Sequence, residues 1–445
     1  MDHRELAVDL VARARAAGAD AADVLVAEGT EFSVTVRKQE IETLTEAGSK
    51  ALGLRVFVGR RTANAHTSDF SPTALRTLVE ETVTMARATG EDPAAGLPDE
   101  CPPAEDIDLG LYDASLDSVP AAERIEWARR AEAAALDASP QITNSEGASW
   151  DSGQGAVVLA NSNGFLGSYR SSSVSVSVVP VAEKDGQKER DYWWSAGRGV
   201  SELLAPEEIG RIAAERTLRR LGARQAATAE VPVVFDPLTA ADLLGSVFGA
   251  ISGYAVFRNA TFLEGCLGQT VASPLLSVVD EGRRPRGHGS RPFDGEGLAT
   301  RRTVLVGEGV LETYLLDSYS ARKLGLRSTH HAARDGSGVG VSTTNLVLQP
   351  GTASPESLIA SVKNGFYVTE LIGFGINGVT GDFSKGAAGL WIENGRLSYP
   401  VAEVTVAGNL LEMLAAIEGV GNDLVMRDRT VAPTVLIGRM VVAGE

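Results

Sequence analysis

The residue types that bind transition metals are sparse in this sequence, and their spacing does not favour a metal site. The histidines are His3, His66, His288, His330 and His331. No two have the i, i+4 spacing that lets one helix hold an ion with both imidazoles, and Cys-x-x-Cys is absent. His330 and His331 are adjacent, so in a strand their side chains would point to opposite faces. We expect surface or loop histidines and no metal centre.

Cys266 is the main candidate nucleophile. Asp280 and His288 follow it closely and supply the residue types of a Cys-His-Asp hydrolase. The Gly-x-Ser-x-Gly motif of serine hydrolases is absent. A thiol buried as a small apolar group is the commoner use of such a cysteine, and the sequence favours that interpretation.

Residues 373–378 match Gly-x-Gly-x-x-Gly by letter. A dinucleotide site needs a helix to begin there, so that its amides can bind the pyrophosphate. The following residues, 379–386, are of turn-forming types instead. The pattern therefore predicts tight turns between strands.

Two Gly-rich polar clusters lie in the second half, at residues 291–302 and 377–384. Their charged and amide groups are suited to a groove that binds extended peptide backbone. The same residue types also bind turn amides locally, and the sequence leaves both roles open. The candidate groove or interface residues are Arg258, Phe293, Asp294, Glu296, Asn377, Asp382 and Ser384.

The first half alternates helix and strand patterns. A Ser-Pro pair at 71–72 predicts a helix start, and residues 32–36 alternate apolar and polar as in a strand. An Asn-Gly pair at 163–164 predicts a hairpin turn. Residues 91–110, rich in Pro, Asp and Glu, predict an exposed connection.

The second half contains one clear helix after Asp236, and otherwise mostly Gly-punctuated strands, including residues 303–316. We place a domain boundary between 1–222 and 223–445, at a short Ala-rich joint. The predicted fold class is α+β: N-terminal helices on a mostly antiparallel sheet, then a C-terminal β-rich sandwich or distorted barrel.

The charge balance excludes some functions. The chain of 445 residues has 41 basic and 58 acidic side chains, a net charge of −17. Such a surface repels phosphate backbones and anionic lipid, so we expect no nucleic-acid or membrane partner. Residues 243–257 are too short for a membrane span, and the charged start lacks the pattern of an export signal. With only two cysteines, we expect a cytoplasmic protein.

Long irregular motifs in the second half resemble the TldD/PmbA family, and within it the PmbA (TldE) branch. They are "FLEGCLGQTVASPLLSVVDEG" (262–282), "RPFDGEGLATRRTVLVGEGVLETYLLDSYSARKLGLRST" (291–329), "NGFYVTELIGFGINGVTGDFSKGAAGLWIENG" (364–395) and "YPVAEVTVAGNLLEML" (399–414). With a first half of similar helix and strand order, the resemblance spans nearly the whole chain.

The resemblance implies a cytoplasmic heterodimeric peptidase that acts on unfolded or modified peptides. In this family the TldD subunit carries zinc on an HExxxH helix and a later cysteine. The corresponding positions here are Gly245, Ser246 and Ala250, and no cysteine follows Cys266. None of these side chains binds zinc or activates water, so we expect no cofactor in this chain and zinc in a TldD-like partner.

The leading hypothesis is therefore a non-catalytic TldE-like subunit that completes the peptide groove of a TldD-like catalytic subunit. A second hypothesis is a stand-alone hydrolase without zinc, using Cys266, Ser384 or another group that the sequence does not single out. A third is a homodimeric peptide-binding module without a TldD partner. The sequence does not specify the substrate.

Overall fold

The computed structural model describes residues 2–100, 102–335 and 338–444. The helices are α1 (His3–Ala16), α2 (Pro72–Ala88), α3 (Ala121–Asp137), α4 (Pro206–Leu218), α5 (Pro237–Ala250), α6 (Gly253–Phe257), α7 (Ser318–Leu324), α8 (Pro355–Ser361) and α9 (Leu410–Ala415). The strands of the first half are β1 (Ala21–Arg37), β2 (Glu40–Val58), β3 (Arg61–Thr67), β4 (Ile142–Asn161), β5 (Leu166–Lys184), β6 (Gln187–Arg190) and β7 (Trp193–Gly197).

The second half is dominated by strands. They are β8 (Ala229–Phe235), β9 (Val278–Glu281), β10 (Arg302–Gly307), β11 (Val310–Leu311), β12 (Ala332–Asp335), β13 (Gly338–Val341), β14 (Leu346–Leu348), β15 (Asn364–Ile372), β16 (Asp382–Glu393), β17 (Arg396–Asn409), β18 (Ile417–Val420), β19 (Thr430–Val431) and β20 (Val435–Ala443).

The N-terminal sheet is antiparallel, with strand order β3-β2-β1-β4-β5-β6, and β7 also pairs with β5. Its turns follow local sequence chemistry. The hairpin between β4 and β5 turns at Gly164, whose φ of 97° is a left-handed conformation that suits glycine. This confirms the predicted Asn-Gly turn.

Two helix pairs cover opposite ends of one face of this sheet. Along β1, Val24 and Val26 join the core under α1 and α2, whereas Val34 and Val36 join the core under α3 and α4. All four positions are even, and alternate residues of a strand share a face. Ser71 caps α2 by accepting from the Ala74 N–H at 3.4 Å, as the sequence predicts.

A barrel of five strands forms the centre of the second half. The order β17-β16-β15-β8-β20 is closed by pairing between β17 and β20. Within it, β8 and β15 are parallel and the other pairs are antiparallel. A second sheet has the order β11-β10-β9-β14-β19. The predicted α+β class, with a β-rich barrel in the second half, is confirmed.

Two local predictions are wrong in part. The segment 303–316 is not one strand, because the chain turns back after Gly307 and forms only the short hairpin of β10 and β11. The connection 91–110 is not exposed throughout. Ala95 and Leu97 are buried against Phe57 of β2, and the carbonyls of Ala94 and Gly96 accept from Arg322 of α7. The division at residue 222 stays a prediction.

A helix that crosses a bilayer must be both long and apolar. No helix in the described part of the chain is both long enough and apolar enough to do so.

Candidate functional site

A groove of about 730 Å³ lies between the two halves of the molecule. Helix α5 forms one wall, β7 of the N-terminal sheet forms another, and residues 423–432 close the third side. Ligand sites occur preferentially at such junctions. We call this cavity the α5 groove.

Helix α5 begins at a strong local signal. Asp236 is its N-cap and accepts from the N–H groups of Leu238 and Thr239 at 3.1 and 2.9 Å. Leu243 and Leu244 pack into the core of the second half, while Gly245 and Ser246 line the groove. The helix therefore presents Gly245 and Ser246 to the cavity, together with Leu238 and Asp242, and turns Leu243 and Leu244 to the core.

The positions that correspond to the family's zinc helix do not fit a metal ion. Gly245 has no side chain, and the Ser246 hydroxyl donates to the Asp242 carbonyl at 2.8 Å. Ala250 is buried in the core. Among the described residues, no group of three or more His, Cys, Asp or Glu side chains is placed to hold a metal. The side chains at these three positions therefore supply no ligand for zinc.

A buried charge cluster lies at the base of the groove. Arg216 of α4 is 3.3 Å from Asp191 and 3.5 Å from Asp236, and all three are at least nine-tenths buried. Burial raises the pKa of Asp236, and the charge of Arg216 opposes that rise. The cluster links α4 of the first half to the N-terminus of α5 in the second half.

Aromatic side chains form the wall that β7 contributes. The Arg427 guanidinium lies 4.1 Å from the centroid of the Trp193 ring, and that of Arg216 lies 5.2 Å from it. Tyr192 and Trp194 stack at 5.7 Å with an interplanar angle of 24°. The groove therefore combines apolar surface with cationic groups held against an aromatic ring.

Lys385 of β16 anchors the exposed side of α5. Its ammonium pairs with the Asp242 carboxylate at 2.7 Å, and the lysine side chain is only 8% exposed. Asp242 lines the groove. The pair ties this helix to the barrel.

The first polar cluster of the sequence lies in the interior. Phe293 is buried against Phe165, with ring centroids 5.1 Å apart. Asp294 accepts from the N–H groups of Glu296, Leu298 and Ala332 at 2.9, 2.9 and 3.1 Å. Phe293 is therefore a core residue, and Asp294 satisfies buried backbone N–H groups, one of the two roles that the sequence left open.

The second polar cluster is exposed and lies in the hairpin between β15 and β16. Residues 373–381 form turns and no helix, which confirms the predicted turns between strands. Asn377 accepts from the Val379 N–H at 3.0 Å, and Asp382 accepts from the Thr380 hydroxyl at 2.6 Å. Ser384 is exposed as well.

Arg258 is exposed elsewhere, 5.6 Å from the centroid of the Tyr254 ring. None of these exposed candidates is among the residues that line the α5 groove. Their role as groove or interface residues stays a prediction.

The residues of the Cys-His-Asp alternative have other partners. Asp280 is fully buried and lies 3.1 Å from Nε2 of His331. The Cys266 thiol is placed to donate to the Glu264 carbonyl at 3.6 Å. The carbonyl of His288 accepts from Arg198 at 2.9 Å, and burial lowers the pKa of its imidazole. The contacts of the described residues do not assemble a triad.

Sequence reasoning missed the groove residues Trp193, Arg216 and Arg427. One signal was available for Arg216. It lies three residues after Ala213 and seven after Ile209, on the buried stripe of α4, where a charged side chain needs a partner. Nothing local in the sequence connects Arg427 to that helix.

The chain matches one family of known proteins along its length. Domain 1 of the PmbA/TldA metallopeptidase family matches residues 22–86, the central domain matches 114–221, and the C-terminal domain matches 228–444. Metalloprotease PmbA of Escherichia coli O157:H7 is 40% identical, over 96% of this chain and 93% of the relative. A Haemophilus influenzae homologue of that protein is 37% identical, over 99% and 95%.

Solved structures share the fold. A candidate modulator of DNA gyrase from Bacteroides thetaiotaomicron has a TM-score of 0.91 and 30% identity, with all of both chains covered. TldE from Thermococcus kodakarensis has a TM-score of 0.89, over 98% of this chain and 99% of its own, and at 20% identity it shows the fold alone. The sequence matches and the shared fold agree, and the chain belongs to the PmbA/TldA metallopeptidase family.

Proposed function

We propose that this chain is the non-catalytic, TldE-like subunit of a heterodimeric metallopeptidase, in which a TldD-like partner holds the zinc. The observation that carries the proposal is the residue types that α5 has at two positions on its groove face. At the positions where the resemblance expects a zinc helix, Gly245 and Ser246 line a groove without offering a ligand.

The relatives support a partner of this kind. Haemophilus influenzae has both a PmbA homologue and a TldD homologue among the proteins similar to this chain. Buchnera aphidicola of Acyrthosiphon pisum likewise has one of each. We expect one organism to keep two related chains when one chain supplies catalysis and the other supplies part of the binding surface.

The α5 groove suggests how this chain would contribute. Its aromatic wall and cationic groups are suited to binding part of a peptide, while the partner would cleave the bond. Zinc in that partner would polarise the scissile carbonyl and activate water. The exposed candidates Arg258, Asn377, Asp382 and Ser384 would serve contact with the partner or the peptide, in the cytoplasm.

Co-expression with a TldD-type protein tests the proposal. We expect the two chains to co-purify, peptidase activity to require both, and zinc to be stoichiometric with the partner only. Undiminished activity of the partner alone, failure to co-purify, or one zinc per copy of this isolated chain would overturn it.

The two alternative hypotheses give different results. Hydrolysis by the isolated chain in chelator, abolished by Cys266→Ala or Ser384→Ala, would show a stand-alone hydrolase. A stable homodimer in light scattering, unchanged when the TldD-type protein is added, would show a homodimeric peptide-binding module.

A further inference from the structure

Arg427 lines the α5 groove without a partner for its charge among the described residues. Among the described residues, no carboxylate lies within ion-pair distance of its guanidinium and no side-chain hydrogen bond is made. The side chain is half-buried against the Trp193 ring. A guanidinium that is held in a cavity without an acceptor is available to an anionic ligand.

Three more donors nearby lack acceptors among the residues that the structure describes. Nε and Nη2 of Arg216 are buried and make no hydrogen bond, because the nearby carboxylates of Asp191 and Asp236 are poorly aligned. The indole N–H of Trp193 is also buried without an acceptor. Unsatisfied buried donors are rare in folded proteins and need an explanation such as a missing ligand.

The other acidic residues that line the groove do not accept hydrogen bonds from these donors. Asp242 pairs with Lys385, and Asp423 accepts from the Thr434 N–H and hydroxyl at 2.9 and 2.7 Å. Asp428 is exposed and accepts from the Arg429 N–H at 2.6 Å. Asp236 faces Arg216 at 3.5 Å, and in the cluster below the groove Oδ2 of Asp191 is itself buried without a hydrogen bond. The acids that line the groove thus have partners, whereas Arg427 has none among the described residues.

The remaining walls are apolar. Leu238, Val425 and Val431 line the cavity beside the stacked pair of Tyr192 and Trp194. A volume of about 730 Å³ admits a short stretch of peptide. The groove thus offers apolar walls next to the guanidinium of Arg427.

We propose that the α5 groove binds the free terminal carboxylate of a peptide, with the last side chain against the apolar and aromatic wall. The carboxylate would accept from the guanidinium of Arg427, which is only partly buried, next to the positive charge of Arg216. An amide or an internal peptide segment would leave the guanidinium charge of Arg427 unmatched. The choice of a peptide as ligand rests on the proposed function.

Calorimetry on the full chain without any partner tests this assignment. The probes are N-acetyl-glycyl-glycyl-phenylalanine, the same peptide with a terminal carboxamide, and inorganic phosphate. We expect the acid to bind at least about tenfold more tightly than the amide, as charge-assisted hydrogen bonds imply.

Three variants locate the effect. Arg427→Gln should abolish the preference for the acid, Arg427→Lys should retain part of it, and Trp193→Phe should weaken it while keeping an aromatic ring. The matched control is Arg211→Gln, which removes an exposed charge of α4 outside the groove and should change nothing. Thermal unfolding checks that each variant is folded.

Equal binding of acid and amide, no binding of the acid, or a preference that survives Arg427→Gln would overturn the inference. Binding of phosphate without binding of the acid peptide would also overturn it, since the site would then serve another anion. These results do not depend on co-purification with a TldD-type protein, so the two proposals fail separately.

Discussion

Arg55 and Glu296 form a buried ion pair that joins the two halves of the chain. Nη1 of Arg55, on β2, donates to Oε1 of Glu296 at 3.2 Å, and the glutamate side chain has no exposed surface. Asp23 and Arg334 complete the cluster, with two acids and two guanidinium groups. Burial opposes ionisation of Asp23, but Arg334 and Arg55 together lower its pKa.

We expect Glu296→Gln to lower the free energy of unfolding by about 3–5 kcal/mol. The variant keeps the shape but leaves an uncompensated positive charge in the interior. Urea unfolding followed by circular dichroism measures the change. The matched control is Glu207→Gln, which breaks an exposed pair with Arg130 and should cost less than about 1 kcal/mol. Equal costs for the two variants would contradict the importance of the buried pair.

Asp294 should make stability fall as pH rises. Burial, reinforced by the charge of Glu296, raises the pKa of Asp294 to about 7. The unfolded chain releases this proton near pH 3.9, so between about pH 4 and 7 the folded state binds more protons. The contribution of this group to the free energy of unfolding therefore decreases across that window, by at most about 1.4 kcal/mol per pH unit.

The variant Asp294→Asn should flatten that dependence. It will be less stable at every pH, because its amide nitrogen cannot accept from the Ala332 N–H, so the informative quantity is the slope. Urea unfolding at about pH 5 and about pH 7.5 supplies it. Asp106→Asn, at an exposed position, is the control and should keep the wild-type slope. An unchanged slope in Asp294→Asn would show that this carboxyl is ionised throughout.

Local signals in the sequence predicted local structure well. The Ser71 cap gave the start of α2, and the Asn163-Gly164 pair gave the turn between β4 and β5, because neighbouring residues alone determine both. For the second half, the sequence predicts only a β-rich sandwich or distorted barrel and not how the barrel closes. That closure depends on the pairing of β17 with β20, and alternation within a strand does not specify its partner.

The site was harder to predict for the same reason. The family resemblance alone singles out Gly245 and Ser246, and both line the groove. The contact of Arg427 with Trp193 forms only when β7 and the segment before β19 meet in the folded molecule. Asp294 was chosen for its residue type, whereas its burial follows from the distant Ala332 N–H that it binds.

Asp236 should be more important for stability than an ordinary helix cap. It accepts from two backbone N–H groups of α5 and faces Arg216 in the buried cluster. We expect Asp236→Ala to cost about 3 kcal/mol or more, since cap and charge partner are lost together. The exposed cap variant Ser71→Ala should cost about 1 kcal/mol. Unfolding in urea compares them, and similar costs would show that Arg216 does not depend on Asp236.

The hairpin between β15 and β16 allows a matched test of backbone packing. A Cβ at Gly375 would lie 1.5 Å from the Ser384 carbonyl oxygen, whereas a Cβ at Gly378 would meet no atom within 4 Å. Both changes to alanine reduce the freedom of the unfolded chain alike, so their difference isolates the clash. We expect Gly375→Ala to cost at least about 2 kcal/mol and Gly378→Ala less than about 1 kcal/mol. Equal unfolding midpoints in urea would mean that the hairpin relaxes around the added methyl group.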